Sequence, residues 1–165
     1  MCVDEWAVVN HLARRYSLGQ FRNKGVTRTA SGYFPAFTGA VPDIMLGEHW
    51  VVESLYLWYV CDANVANRTL EIEWIVRNLE GGWDSVLDHY GVSGAMTANN
   101  TYYFLIGSKV NALGNMTQEL EYQVTLEEKP ILKNDGDYVT SFLFTVANMQ
   151  AGDYYTVNLN YSKVR

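Results

Sequence analysis

Residues 68–76 read RTLEIEWIV, and this stretch alternates between apolar and polar side chains. Successive side chains of a strand point to opposite faces, so a period of two is typical of a half-buried antiparallel strand. The stretch therefore predicts a strand with one face on a hydrophobic core. One face carries Leu70, Ile72, Trp74 and Val76, and the other carries Thr69, Glu71, Glu73 and Ile75.

The chain on both sides of this stretch also has strand character. Residues 49–61 (HWVVESLYLWYVC) are nearly continuously apolar, as in a central strand covered on both faces or a strand at an oligomer interface. Turn-rich joints separate the segments, which predicts an all-β antiparallel β-sandwich or jelly roll in residues 45–165. Residues 81–94 (GGWDSVLDHYGVSG) fit either a surface loop with a helical turn or a further strand. Other predicted strands lie at 101–107, 120–126, 138–146 and 154–161.

Residues 1–44 differ from this pattern and predict an extended N-terminal arm. Trp6, Val9 and Leu12 fall at helical spacing after Asp4, which predicts a short amphipathic helix over residues 4–15. Residues 17–39 are rich in Ser, Gly, Thr and basic side chains, so this part is expected to be extended.

Charge is distributed unevenly along the chain. The first forty residues carry five basic and two acidic side chains, a net charge of +3, whereas the rest carries seven and sixteen, a net charge of −9. A basic arm on an acidic body fits binding to nucleic acid, an anionic membrane or an acidic protein surface, or a solvated tail. Nucleic acid is the weaker choice because the acidic body repels phosphate.

The composition also limits the compartment. The sequence has no apolar run of 18 residues and no signal-peptide pattern at its N-terminus. We therefore expect neither a membrane span nor secretion, and we expect the protein to be made in a cytoplasm. The two cysteines, Cys2 and Cys61, fit neither a disulfide framework nor zinc spacing and are expected to be reduced thiols.

No sequence motif indicates catalysis. The three histidines, His11, His49 and His89, are scattered, and no nucleophile elbow or phosphate loop occurs. Glu71 and Glu73 share a strand face some 6 to 7 Å apart by the strand rise, and are read as a solvated face. We therefore expect no enzyme, no metal and no cofactor. A glycosidase or a cupin-like metalloenzyme is the alternative.

The tripeptide Gly-Asp-Tyr occurs twice, at residues 136–138 and 152–154. Gly and Asp are favoured in tight turns, so each copy is expected to start a strand. The spacing predicts that Asp137 and Asp153 lie at opposite ends of one hairpin, too far apart to share a metal or a proton. A calcium or catalytic site is the alternative interpretation.

Several aromatic residues are adjacent in sequence, as at residues 56–59, 102–103 and 154–155. In a strand, one member of each pair must point away from the core. Outward aromatic side chains mark either a protein interface or a stacking platform for sugars.

Two stretches resemble known proteins. Residues 130–139 (PILKNDGDYV), followed by residues 151–153 (AGD) and an alternating last strand, resemble the last hairpin of small jelly-roll structural proteins of tailed bacteriophages. Residues 50–61, the turn DANVANR at 62–68 and the strand start LEI at 70–72 are similar to their long strand, Asn-rich turn with an Arg, and returning strand.

The resemblance implies a capsid decoration or cement protein, which is not an enzyme. Such a protein is usually a homotrimer on the outer capsid surface of the virion and clamps the major capsid protein through an N-terminal arm. A carbohydrate-binding jelly roll, as in a head fibre or receptor-binding protein, is the alternative. Neither nucleic acid nor membrane is an expected partner. The residues expected to bind the capsid through charge or apolar contact are Trp6, Arg14, Arg15, Phe21, Arg22, Lys24, Arg28, Phe34 and Phe37.

Overall fold

A computed structural model of the protein describes residues 21–37, 42–107, 122–124 and 129–164. Every regular element in these ranges is a β-strand, and none of them contains a helix long and apolar enough to cross a membrane. The strands are β1 (Phe21–Arg28), β2 (Gly32–Phe34), β3 (His49–Val60), β4 (Thr69–Asn78), β5 (Trp83–Val92), β6 (Thr101–Gly107), β7 (Tyr122–Val124), β8 (Ile131–Lys133), β9 (Tyr138–Ala147) and β10 (Tyr154–Val164).

The strands form two sheets. The larger sheet has the order β1-β10-β3-β6-β7, with β8 also pairing with β3, and the smaller sheet has the order β2-β9-β4-β5. Pairing is antiparallel except between β6 and β7. The predicted all-β sandwich is confirmed.

The pairing of eight of the strands is nested. β4 pairs with β5, β3 with β6, β2 with β9, and β1 with β10, each antiparallel. This is one long antiparallel hairpin folded over so that successive pairs alternate between the two sheets. Such nesting is the arrangement of a jelly roll, which closes two four-stranded sheets on one core.

The core lies between the two sheets. Leu55, Leu57 and Tyr59 alternate along β3 and are fully buried, and Phe142 and Phe144 of β9 belong to the same cluster. Burial therefore alternates along most of β3, whereas β9 has four consecutive buried residues at 139–142. Burying a large apolar side chain contributes about 1.5 to 3 kcal/mol, so this cluster is the main stabilising element.

Part of the predicted arm belongs to the sheets. β1 pairs with β10 along its whole length, and β2 pairs with β9. The boundary predicted at residue 44 is therefore corrected for residues 21–34, which complete an edge of each sheet. The side chain of Asn23 hydrogen-bonds to Asn160 and that of Thr27 to Thr156, so polar contacts link β1 to β10.

Two other predicted segments have different outcomes. Residues 81–94, which fitted a loop or a strand, contain the strand β5. Of the predicted strand at 120–126, only β7 falls among the described residues. The predicted helix over residues 4–15 lies outside them.

Candidate functional site

The two Gly-Asp-Tyr copies are not joined by one hairpin. Asp137 precedes β9 and Asp153 precedes β10, and these strands lie in different sheets. The expected hairpin is therefore wrong, because the chain crosses from the small sheet to the large sheet after β9. β9 pairs instead with β4 and β2.

Asp153 is a buried structural residue. Its carboxylate accepts hydrogen bonds from the Tyr59 hydroxyl at 3.0 Å and from the backbone N–H groups of Asp62 and Gln150 at 2.8 Å each. Burial alone raises the pKa of this group, but the bonds from Arg68 and from these donors lower it to about 2. These hydrogen bonds occupy both carboxylate oxygens of Asp153. The second Gly-Asp-Tyr copy therefore has a structural role.

The edge strand β5 presents exposed apolar side chains. Val86 is 51% exposed and Leu87 is 47% exposed, and they lie at an irregularity in the β4–β5 pairing, where Leu87 is the extra residue between the pairs made by Val86 and Asp88. β5 pairs with β4 on one side, and no described strand pairs with its other side. Adjacent exposed apolar side chains on an edge strand are unusual for a protein that stays free in solution. We define the β5 surface as Leu79, Trp83, Val86, Leu87 and Tyr138, all of which are exposed.

Aromatic side chains lie at one end of the β5 surface. Asn78 of β4 pairs with Trp83 on one side and with Tyr138 of β9 on the other. The rings of Trp83 and Tyr138 meet edge to face with centroids 6.3 Å apart. Trp and Tyr are the side chains most often found at the energetic centre of protein interfaces.

Polar residues border this aromatic pair. Tyr33 donates its hydroxyl hydrogen to the Asp84 carboxylate at 2.7 Å and accepts a hydrogen bond from Arg77 at 2.8 Å. The Arg77 guanidinium also lies over the Tyr33 ring, 5.1 Å from its centroid. An apolar centre with a polar border is the usual anatomy of a protein interface.

The structure separates the residues predicted to bind the capsid. Phe34 is 1% exposed and fills the core of this protein, so it is not available to a partner. Lys24 pairs with Asp43 at 2.5 Å, and Arg28 donates to the backbone oxygen of Tyr33 at 3.4 Å. The remaining positions are exposed (Arg22), half-buried (Phe37), at the start of β1 (Phe21), or outside the described residues (Trp6, Arg14 and Arg15).

The prediction for adjacent aromatic residues is confirmed. Tyr155 is fully buried while Tyr154 is exposed, and Tyr102 is buried while Tyr103 is half-buried. On the outer face of the large sheet, Tyr56 lies 5.8 Å from Trp58 and 6.1 Å from Tyr103 between ring centroids. These three residues form an aromatic platform.

The sequence did not reveal the β5 surface. The feature of the sequence that could have indicated it is a group of three large apolar residues, Trp83, Val86 and Leu87. They stand among acidic and polar residues and do not alternate with them. A strand buried on one face would alternate, so the absence of alternation is what a strand exposed on both faces produces.

Comparisons with known proteins do not identify a family for this chain. No protein-family model matches the chain, and no curated protein matches it. A solved structure with some likeness is a chain of the "Structure of infectious bursal disease virus Gx strain", with a TM-score of 0.34 and 9% sequence identity. The match covers 88% of this chain and 32% of that one, so this chain spans about a third of its length. A likeness of this size shows neither the fold nor the function of this chain.

Proposed function

We propose that the protein is a non-enzymatic structural protein of a virus particle, a capsid decoration or cement protein that binds the outer surface of a phage head. The observation that carries the proposal is the β5 surface. It offers apolar area, an aromatic pair and, among the described strands, an unpaired strand edge at β5. Those are features of a surface that another protein covers.

The fold is compatible with this role. Jelly rolls occur in viral capsid proteins, in lectins and in cupins, so the fold alone does not select among these functions. The resemblance of residues 50–72, 130–139 and 151–153 to phage jelly-roll proteins favours the first of them.

Binding would use two parts of the chain. The edge of β5 would add to a strand of the major capsid protein, since backbone hydrogen bonds across a sheet edge supply affinity and neighbouring side chains supply selectivity. Residues 1–20, with Trp6, Arg14 and Arg15, would act as the clamp to a neighbouring capsid subunit. Two linked contacts bind more tightly than either alone, which is what a protein across a capsid joint needs.

The proposed assembly is a homotrimer on the head. Three copies around a threefold position would place three arms on the surrounding subunits, and multivalent contact would raise the apparent affinity. Size-exclusion chromatography with light scattering of the full chain would test the trimer.

A particle-binding experiment tests the proposal. Heads that lack this chain are mixed with purified protein and sedimented on a density gradient, and bound protein is measured by quantitative mass spectrometry. We expect binding by the wild-type chain and at least about tenfold weaker binding by a Val86→Asp/Leu87→Asp variant. A chain without residues 1–20 keeps β1 and is expected to fold but bind more weakly.

The matched control is Val65→Asp. Val65 is 98% exposed in the turn before β4, so this change adds one of the two charges of the double variant without touching the β5 surface. Equal binding by the control and by the Val86→Asp/Leu87→Asp variant would contradict the role of β5. Absence of the wild-type chain from native particles and from reconstituted ones would contradict the function itself.

Carbohydrate binding is a second candidate, favoured by the aromatic platform. Tyr56, Trp58 and Tyr103 present three neighbouring rings on the outer face of the large sheet, and sugars stack on such rings. A glycan array with wild-type protein and a Trp58→Ala variant separates the two functions. Selective glycan binding that disappears in the variant would support the sugar-binding role.

A further inference from the structure

Three side chains capable of binding a metal ion meet on the β4–β5 hairpin. Glu71 and Glu73 belong to β4 and His89 belongs to β5, and one ligand atom from each lies within 4.8 Å of the others. The Nε2–H group of His89 donates to Oε1 of Glu71 at 2.9 Å. The group is open to solvent, because the side chains of His89 and Glu71 are 44% and 37% exposed.

The backbone explains why these residues meet. Glu71 and Glu73 are two positions apart in a strand, so they share one face of the sheet. His89 pairs directly with Glu73, while Glu71 pairs with Val92, so β5 spans three residue steps where β4 spans two. This β-bulge bends the edge strand locally, and bulges often redirect a side chain towards a functional site.

The local charge favours a cation. Among the described residues, neither Glu71 nor Glu73 forms an ion pair with a lysine or arginine, and His89 is the basic partner of Glu71. Other carboxylates on or near strands do have such partners, as Glu48 has Lys163 and Asp84 has Arg77. Two neighbouring carboxylates without a fixed positive charge repel each other, and a bound divalent ion would remove that repulsion.

We propose that Glu71, Glu73 and His89 bind a zinc ion. One imidazole nitrogen and two carboxylate oxygens are ligands that Zn²⁺ takes at about 2.0 to 2.2 Å, whereas Ca²⁺ and Mg²⁺ prefer six or more oxygen ligands. In a tetrahedral site the ligand atoms lie about 3.4 Å apart, so these exposed side chains need only small rotations to close on the ion. The ion takes the place of the proton that His89 shares with Glu71.

The site would have a free coordination position. Three protein ligands leave the fourth position of Zn²⁺ open to water or to a side chain of another molecule. The group is open to solvent, so another molecule can reach that position. The metal site stands independently of the proposed capsid function, since it rests on the three ligands alone.

Equilibrium dialysis of the full purified chain against zinc chloride, with zinc measured by atomic absorption, tests the proposal. We expect one zinc ion per chain, lost in His89→Gln and in Glu71→Gln/Glu73→Gln. A cobalt titration followed by visible absorption reports directly on the ligand set, and its tetrahedral bands should be absent from both variants. Circular dichroism confirms that each variant is folded.

His49→Gln is the matched control. His49 is another exposed histidine with a carboxylate partner, Asp135, at 3.4 Å, so it shares the local chemistry but lacks the second glutamate. This variant should bind zinc as the wild-type chain does. Zinc binding that survives in His89→Gln, or no binding by the wild-type chain at micromolar zinc, would overturn the proposal.

Discussion

The guanidinium of Arg68 and the carboxylate of Asp153 form a two-pronged ion pair inside the sandwich, with Nε to Oδ2 and Nη2 to Oδ1 each at 2.9 Å. Both side chains are fully buried. Arg68 ends the turn that carries the chain from β3 to β4, and Asp153 ends the turn from β9 to β10. Each of these turns crosses between the two sheets, so the pair joins two crossovers at the same end of the molecule.

Removing one partner of this pair should destabilise the protein strongly. We expect Arg68→Met to lower the free energy of unfolding by about 3 to 5 kcal/mol, because Asp153 is left as a buried charge without its partner. Urea denaturation followed by circular dichroism measures the change.

The exposed pair between Lys129 and Glu53 provides the control. Lys129→Met should change the free energy of unfolding by less than about 1 kcal/mol, since solvent screens an exposed ion pair. The double variant Arg68→Met/Asp153→Leu should be more stable than Arg68→Met alone. A single variant as stable as wild type would contradict the structural role of the pair.

Stability should fall in acid through Asp153. Its pKa is about 2 in the folded protein against 3.8 ordinarily, so the unfolded chain takes up a proton first as the pH falls. The stabilisation is therefore complete above about pH 4 and is lost between about pH 4 and pH 2, a change of about 2 kcal/mol. Urea denaturation over this pH range should show a shallower slope for Asp153→Asn than for wild type.

The thiol of Cys61 should be unreactive in the folded protein. It is 3% exposed, and burial raises its pKa to about 11. In a Cys2→Ser background, a thiol reagent such as Ellman's reagent at about pH 8 should label Cys61 only after urea unfolds the chain. Fast labelling without urea would show that this core opens readily.

The two Gly-Asp-Tyr glycines should resist substitution for different reasons. Gly136 has a φ of +91°, where an alanine is strained, while a Cβ at Gly152 would lie 2.8 Å from Oδ2 of Asp62. We expect Gly136→Ala and Gly152→Ala each to lower the free energy of unfolding by about 1 to 3 kcal/mol. Gly32→Ala is the control, because nothing lies within 4 Å of its Cβ position, and it should be nearly neutral in the same denaturation assay.

The half-buried strands could be predicted from sequence. In the first part of β4, Leu70 and Ile72 are buried between half-buried neighbours, so burial imposes an alternation there that is visible without a structure. β1 carries no such pattern because its side chains are mostly exposed or half-buried, and its place is set by backbone bonds to β10. Pairing between strands that are so far apart in sequence cannot be read from either strand alone.

The candidate sites were hidden for related reasons. Glu71 and His89 are 18 residues apart, and their meeting depends on the bulge in β5, which no local motif indicates. Similarly, Asp153 looks like an ordinary turn residue until Arg68 is brought to it. Long-range register decides both contacts, whereas composition and periodicity describe only local structure.

The nested pairing of the jelly roll also bears on how the chain folds as it is synthesised. The innermost pair, β4 and β5, is closed by a short turn and costs little loop entropy, whereas β1 and β10 must find each other across most of the chain. β10 lies between β1 and β3, so the large sheet cannot be completed until residues 154–164 have left the ribosome. Until then, one edge of the apolar strand β3 stays unpaired in the nascent chain, which makes aggregation during synthesis the main hazard for this fold.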